Sequence, residues 1–206
     1  MLEIFLASFI SFLVIVDPLG TAAVFSALSA KMSAPQRQKI AIKAVTIATV
    51  LLIFFGLAGK LLLLKMGISL DAFRIAGGLL IFVTAFRMIM GFHDSDKIDS
   101  SDSVYKDTSN IAVFPLAIPL LAGPGCMTAI ILNMGNAITW DHKLIVIFCI
   151  IIVEILALLA MLSAARLTAI IGPTGSSLLS RLMGILLAAL AVQFVADGVL
   201  NIIKSV

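Results

Sequence analysis

Six stretches of this chain are apolar enough and long enough to be read as membrane spans: Ile4–Ala30, Ile40–Gly59, Phe73–Gly91, Ile111–Ile138, Leu144–Ala165 and Arg181–Ile203. A helix needs about 20 apolar residues to cross the hydrocarbon core of a bilayer. Within that core every backbone N–H and C=O must find a partner inside the protein, so spans of this length are helices. The sequence therefore predicts an all-α membrane protein. Charged residues make up 12% of the 206 positions, against roughly 25% in soluble domains. That excludes a water-soluble globule and leaves no room for a large soluble domain. The N-terminus has Glu3 where a secretory signal would be basic, and its apolar run is too long for one. It is expected to be retained as the first span.

The first and fourth stretches are the longest, and both are interrupted. Asp17-Pro18-Leu19-Gly20 breaks the first, and Ala122-Gly123-Pro124-Gly125 breaks the fourth. Unwound backbone at membrane depth is tolerated only where it is buried in protein or lines a cavity. A matched pair of interrupted spans in corresponding halves is the best sequence pointer to a transporter's binding site. Asp is a favoured helix N-cap and Pro a favoured first residue, so Asp17-Pro18 reads as the start of a second half-helix. Gly123-Pro124 reads the same way. Each such start presents free N–H groups and the positive end of a helix dipole. The pair suits a small anion or the carboxylate of a zwitterion. Isolated membrane prolines are usually plain kinks, but two Gly/Pro pairs in matching places, one with an acid, exceed what a kink requires.

The two halves look alike. Arg74-Ile75-Ala76-Gly77-Gly78 opens the third stretch and Arg181-Leu182-Met183-Gly184 the sixth, at an offset of 107, while Pro18 and Pro124 lie 106 apart. Residues 1–91 and 111–206 then form two three-helix repeats joined by a polar linker, 92–110. Three spans reverse the orientation of the second copy, so the fold class expected is six transmembrane segments as two inverted three-helix repeats, with segments 1 and 4 broken mid-membrane. Placing the Lys31–Lys39 loop in the cytoplasm puts nine Lys/Arg inside and five outside and both termini outside.

Acids within apolar runs are functional hypotheses by default. Asp17 and Glu154 are central in their stretches and are the two candidates for coupling transport to a proton. For Glu154 the alternative is a neutral acid hydrogen-bonded to an adjacent helix. Asp197 sits near an end and reads as interfacial. Thr21, Thr128 and Asn133 flank the breaks and either bind substrate or bond back to their own helices. Gln193 suits helix–helix bonding, and Gly77, Gly78 and Gly184 close helix packing. Cys126 and Cys149 read as small apolar residues. His93 and His142 fall in loops, so neither a metal site nor an intramembrane enzyme is expected, and no cofactor. The net charge of +3 comes from basic residues at span ends. It points to lipid headgroups and not to nucleic acid.

Pro115-Leu116-Ala117-Ile118-Pro119-Leu120-Leu121-Ala122-Gly123-Pro124-Gly125 follows throughout the second-half pattern of the MarC family of bacterial and archaeal inner-membrane proteins. Asp17, Pro18, Gly20 and Phe25 follow its first-half pattern, with Ala23 where Pro is usual. The Arg-x-x-Gly starts at Arg74 and Arg181 also fit, so the chain resembles that family over essentially its whole length. The resemblance implies a six-span secondary transporter of small neutral amino acids (glycine, alanine, serine) in the cytoplasmic membrane of a prokaryote, linked to the proton gradient. The symmetric pair of breaks leads to an expected substrate site framed by Asp17, Pro18, Gly20 and Thr21 from one break and Gly123, Pro124, Gly125 and Thr128 from the other. A channel or exporter for another small metabolite, and a membrane partner protein that transports nothing, remain as alternatives. Direction of flux and assembly as a homo-oligomer stay open.

Overall fold

The computed structural model describes residues 1–29, 32–91, 111–137 and 139–205. Every regular element among them is helical. The expected linker 92–110, with His93, lies outside the described residues. The first stretch is two helices, α1 (Leu2–Val16) and α2 (Pro18–Leu28), followed by α3 (Ala34–Lys65) and α4 (Leu70–Met90). The fourth stretch is a π-helix (Ala112–Leu121) followed by α5 (Pro124–Asn136). Then come α6 (Trp140–Leu162) and α7 (Ala164–Ser205).

Five segments are long and apolar enough to cross a membrane: Leu2–Ser26, taken through its interruption, Ala34–Lys65, Leu70–Met90, Trp140–Leu162 and Arg181–Lys204. The expected fourth span is divided into pieces of 10 and 13 residues, each too short alone. Pro115 and Pro119 have no N–H to donate, so an ordinary i to i−4 ladder cannot run through this piece, and the wider π turn takes its place. Elsewhere the helices outrun the apolar stretches. α3 begins where the Ser33 N–H donates to Gln36 Oε1 (2.9 Å) and Pro35 opens its first turn. It ends where Gly67 takes φ 71° and the Ile68 N–H reaches Leu63 O (2.9 Å), a glycine-terminated C-cap. α7 likewise begins at Ala164, well before Arg181. Hydropathy marks the part of a helix that sits in hydrocarbon, whereas caps and turns mark where the helix ends.

The larger helix pairings all join residues 1–91 to residues 111–205. α4 and α7 form the most extensive pair. The α1–α2 segment lies along α6, and the π-helix–α5 segment lies along α3. α3 and α6 pack on each other, α2 touches α7, and α5 touches α4. Swapping the halves leaves this pattern unchanged. It extends to single residues. The buried positions Ala41, Ala48, Leu52 and Gly56 of α3 recur at Val146, Val153, Ala157 and Met161 of α6, each 105 residues later. On α4 and α7 the second small core pairs Ile81 and Ala85 with Leu187 and Ala191, each 106 residues later.

Glycine sets the distance between α4 and α7. A Cβ built on Gly78 would lie 2.8 Å from Ala191 O, and one on Gly184 would lie 3.1 Å from Ala85 O. These contacts are reciprocal at an offset of 106 (184−78 and 191−85), which matches Pro18 and Pro124. The register of 107 read from Arg74 and Arg181 is therefore one residue out for this helix pair. Small residues let backbones approach where lipid supplies no hydrophobic drive for helices to associate. Because carbonyl oxygens cannot move aside as side chains do, Gly78→Ala should lower stability by about 1–3 kcal/mol. Gly184→Ala, whose notional Cβ sits at 3.0 Å or more from its neighbours, should cost less. Thermal unfolding of the two variants in detergent checks the order.

Candidate functional site

Pro18 disfavours the helical region for the residue before it, and Asp17 leaves it. Asp17 has φ 43° and ψ 72° and is the sole non-glycine with positive φ among the described residues. For an L-residue this conformation costs of order 1–3 kcal/mol, and such residues cluster at functional sites. Asp tolerates it better than most because its short polar chain bonds locally. The Asp17 N–H donates to Leu13 O (3.1 Å), its carbonyl accepts from the Thr21 N–H (2.9 Å), and its Oδ1 accepts from the Gly20 N–H (3.1 Å). The acid thus closes α1 and caps α2. A Cβ at residue 20 would run into the Asp17 carboxylate, so glycine is required there for the carboxylate to fold back.

The second break is built differently. Ala122 and Gly123 leave the helix, with Gly123 extended at φ −73°, ψ 171°, and α5 starts at Pro124 with no side-chain cap. The Met127 N–H returns to Gly123 O (2.9 Å), while the N–H groups of Gly125 and Cys126 find no acceptor among the described residues. Pro124 is exposed and Gly125 half-buried, yet Ala122, Gly123 and Cys126 around them are buried. Among the described residues the first turn of α5 is therefore enclosed except at Pro124 and, in part, Gly125.

The two breaks are neighbours. A Cβ on Gly125 would lie 3.1 Å from Ile81 and 3.4 Å from Ile15, two residues before Asp17. α1 packs on α5 and α2 on the π-helix, so the segment before each break lies beside the segment after the other. Gly77 completes the surround, since a Cβ there would run into the Thr128 side chain. The flanking hydroxyls bond to their own backbone: Thr21 Oγ1 to Val16 O (3.0 Å) and Thr128 Oγ1 to Pro124 O (2.8 Å). Asn133 Nδ2 donates to Ala129 O (2.8 Å), while its Oδ1 accepts from Ser8 Oγ (3.2 Å) and ties α1 to α5. Ser8 was not legible beforehand, being one hydroxyl in an apolar run.

Glu154 of α6 is 1% exposed, and neither carboxyl oxygen has a hydrogen-bond partner among the described residues. The expected bond to an adjacent helix is thus not made. Asp197 is half-buried and accepts from Gln193 Nε2 (2.7 Å) on its own helix, which replaces the helix–helix role expected for Gln193. Cys126 and Cys149 are buried free thiols. Among the described residues no cluster of His, Cys, Asp and Glu could hold a metal ion.

Apolar helices of spanning length, two of them interrupted side by side, define a polytopic integral membrane protein. The model of the MarC family integral membrane proteins matches residues 2–203, and the chain belongs to that family. It is 36% identical over 205 residues to a UPF0056 membrane protein of Aquifex aeolicus, covering 98% of this chain and 94% of that one. A UPF0056 membrane protein of Methanocaldococcus jannaschii is 36% identical over 198 residues, 96% of this chain and 97% of its own. No solved structure matches the chain.

The cap at Asp17 yields a stability test. Asn caps about as well as Asp and accepts the left-handed conformation, so Asp17→Asn should unfold within about 0.5 kcal/mol of the parent. Asp17→Ala loses both properties and should cost about 1–3 kcal/mol. Thermal unfolding of both variants at one pH distinguishes them.

Proposed function

We propose that this protein is a secondary transporter of small neutral amino acids of the glycine, alanine and serine class, linked to the proton gradient. Its six spans form two inverted three-helix repeats in the cytoplasmic membrane of a prokaryote, with both termini outside and spans 1 and 4 broken at the site. The family pattern supplies the cargo class. The observation that carries the reading is the pair of adjacent breaks whose half-helix starts differ: α2 is capped by Asp17, and α5 is uncapped.

A zwitterion needs opposite ends of this kind. The substrate carboxylate meets the N–H groups of Gly125 and Cys126 at the positive end of α5. The ammonium group faces the Asp17 carboxylate across the gap. Ile15, Ile81 and Thr128 stand close around Gly125 and Gly77, so the side chain admitted is small. The reciprocal packing of the halves supports an inverted repeat, in which rocking one half on the other exposes a fixed site to each side in turn.

Proteoliposomes preloaded with alanine should accelerate entry of labelled alanine, in a saturable manner, with glycine and serine competing. Absence of counterflow for all three would remove the cargo, and unsaturable flux would make the protein a channel. Losing a charge-assisted bond to the ammonium is worth about 1.5–3 kcal/mol, so Asp17→Asn should lower transport efficiency at least about tenfold while its stability holds. Transport at the parental rate would exclude Asp17 from the site.

A further inference from the structure

No Asp or Glu occurs from Pro18 to Leu70, whereas Lys31, Arg37, Lys39, Lys43, Lys60 and Lys65 all fall there. Three of these cations, Arg37, Lys39 and Lys43, belong to the first turns of α3. The start of a helix is positive and favours acids, yet the first turn of α3 holds none. Arg37 is engaged, its Nε donating to Ser29 O just past α2 (2.9 Å). Lys39 and Lys43 are exposed, and neither has an ion-pair partner among the described residues. Four residues apart, they share one face of the helix, where like charges repel. That face runs on through Thr46, Val50, Phe54, Leu57 and Leu61, all exposed. Thr46 turns its hydroxyl back to Ile42 O (2.8 Å), so the stripe is apolar to its neighbours. The second half of the chain provides an internal control. On α6, each 105 residues later, Lys39 and Lys43 are matched by Leu144 and Phe148, and Val50 and Phe54 by Ile155 and Leu159. These too are exposed. An outward apolar stripe is common to both helices, and packing does not call for lysine in it. The lysine pair is an addition confined to α3.

We propose that the start of α3 holds an anionic phospholipid, its phosphate between the Lys39 and Lys43 ammonium groups and an acyl chain along the stripe from Thr46 to Leu61. Side chains on a helix lean toward its N-terminus, and long lysine chains carry their charge out of hydrocarbon. The Lys43 ammonium therefore rises toward that of Lys39. A phosphate between them accepts a charge-assisted bond from each and offsets their repulsion. An anion is called for because neither α2 nor α3 contains an acid to neutralise the pair. A lipid, and not a soluble anion, is called for because the apolar stripe continues directly from the lysines. A zwitterionic headgroup serves less well, since its own ammonium group already offsets its phosphate. α6, with Leu144 and Phe148 at the matching places, has no such preference. The inference is independent of the cargo proposed above.

The test places the full-length protein in nanodiscs of phosphatidylcholine, alone or mixed with phosphatidylglycerol as the anionic lipid. The readouts are thermal unfolding and the lipids retained in native mass spectra. The parent should unfold at a higher temperature with phosphatidylglycerol present and should retain it over phosphatidylcholine, by roughly fivefold per lysine. Added salt should weaken both effects. The double variant Lys39→Gln/Lys43→Gln should lose both. In phosphatidylcholine alone that variant should unfold no lower than the parent, because the repulsion between the lysines is gone. Lys65→Gln, at the other end of α3, should leave the preference intact. Glycerol 3-phosphate, a soluble headgroup without acyl chains, should not raise the unfolding temperature. Equal retention of the two lipids by the parent overturns the proposal, and so does a preference that survives in the double variant. Stabilisation by glycerol 3-phosphate as large as that by phosphatidylglycerol overturns the lipid assignment. Should the double variant not fold, the salt series on the parent decides, a preference indifferent to salt being the overturning result.

Discussion

A helix that starts within an apolar stretch leaves N–H groups that need partners, and this chain does so twice. At the ends of a span such groups reach the headgroup region. In the middle they must meet protein, ligand or each other's side chains. The first break meets part of its obligation internally, because the Asp17 carboxylate turns back onto the Gly20 N–H and its carbonyl accepts from the Thr21 N–H. The second leaves the Gly125 and Cys126 N–H groups of α5 without an acceptor among the described residues, beside an exposed Pro124. Everything distinctive around them follows from holding those two starts together. Glycine at 20 makes room for the cap. Glycines at 77 and 125 let α4 and α1 close on α5.

The same need explains why the halves embrace rather than stand side by side. Had each interrupted segment packed within its own half, the two breaks would lie apart. Instead the α1–α2 segment lies on α6 and the π-helix–α5 segment on α3, which brings Ile15 against Gly125. The Ser8–Asn133 bond (3.2 Å) ties these segments a few turns away. α4 and α7 close the assembly through glycine-to-carbonyl contacts on both sides of their crossing. Neither half buries its helices mainly against one another, so a fault in one break is felt in both.

Much of this was legible in the residues. Spans, breaks and half-helix starts follow from apolar length and from Gly and Pro, whose backbone effects are local and strong. The back-bonding of Thr21 and Thr128 follows from their position in a helix. What sequence could not give was register and partnership. Arg74 and Arg181 suggested an offset of 107, because a motif marks where a helix begins and not where it touches its neighbour. Packing of Gly78 on Ala191 and of Gly184 on Ala85 sets it at 106. Gln193 could equally have bonded another helix, and Asp197 simply lies one turn away (2.7 Å). The π form of Ala112–Leu121 becomes intelligible from the spacing of Pro115 and Pro119, yet apolar length alone reads as an ordinary helix.

Asp17 and Glu154 are indistinguishable by hydropathy, since each is one acid in a long apolar run. Their surroundings divide them. Asp17 sits in a strained left-handed turn, bonded to the helix that it begins. One of its acceptor oxygens is already in use, at the positive N-terminal end of α2. Glu154 is fully enclosed, and neither of its carboxyl oxygens is bonded among the described residues. An acid whose bonding is complete gains little by changing state.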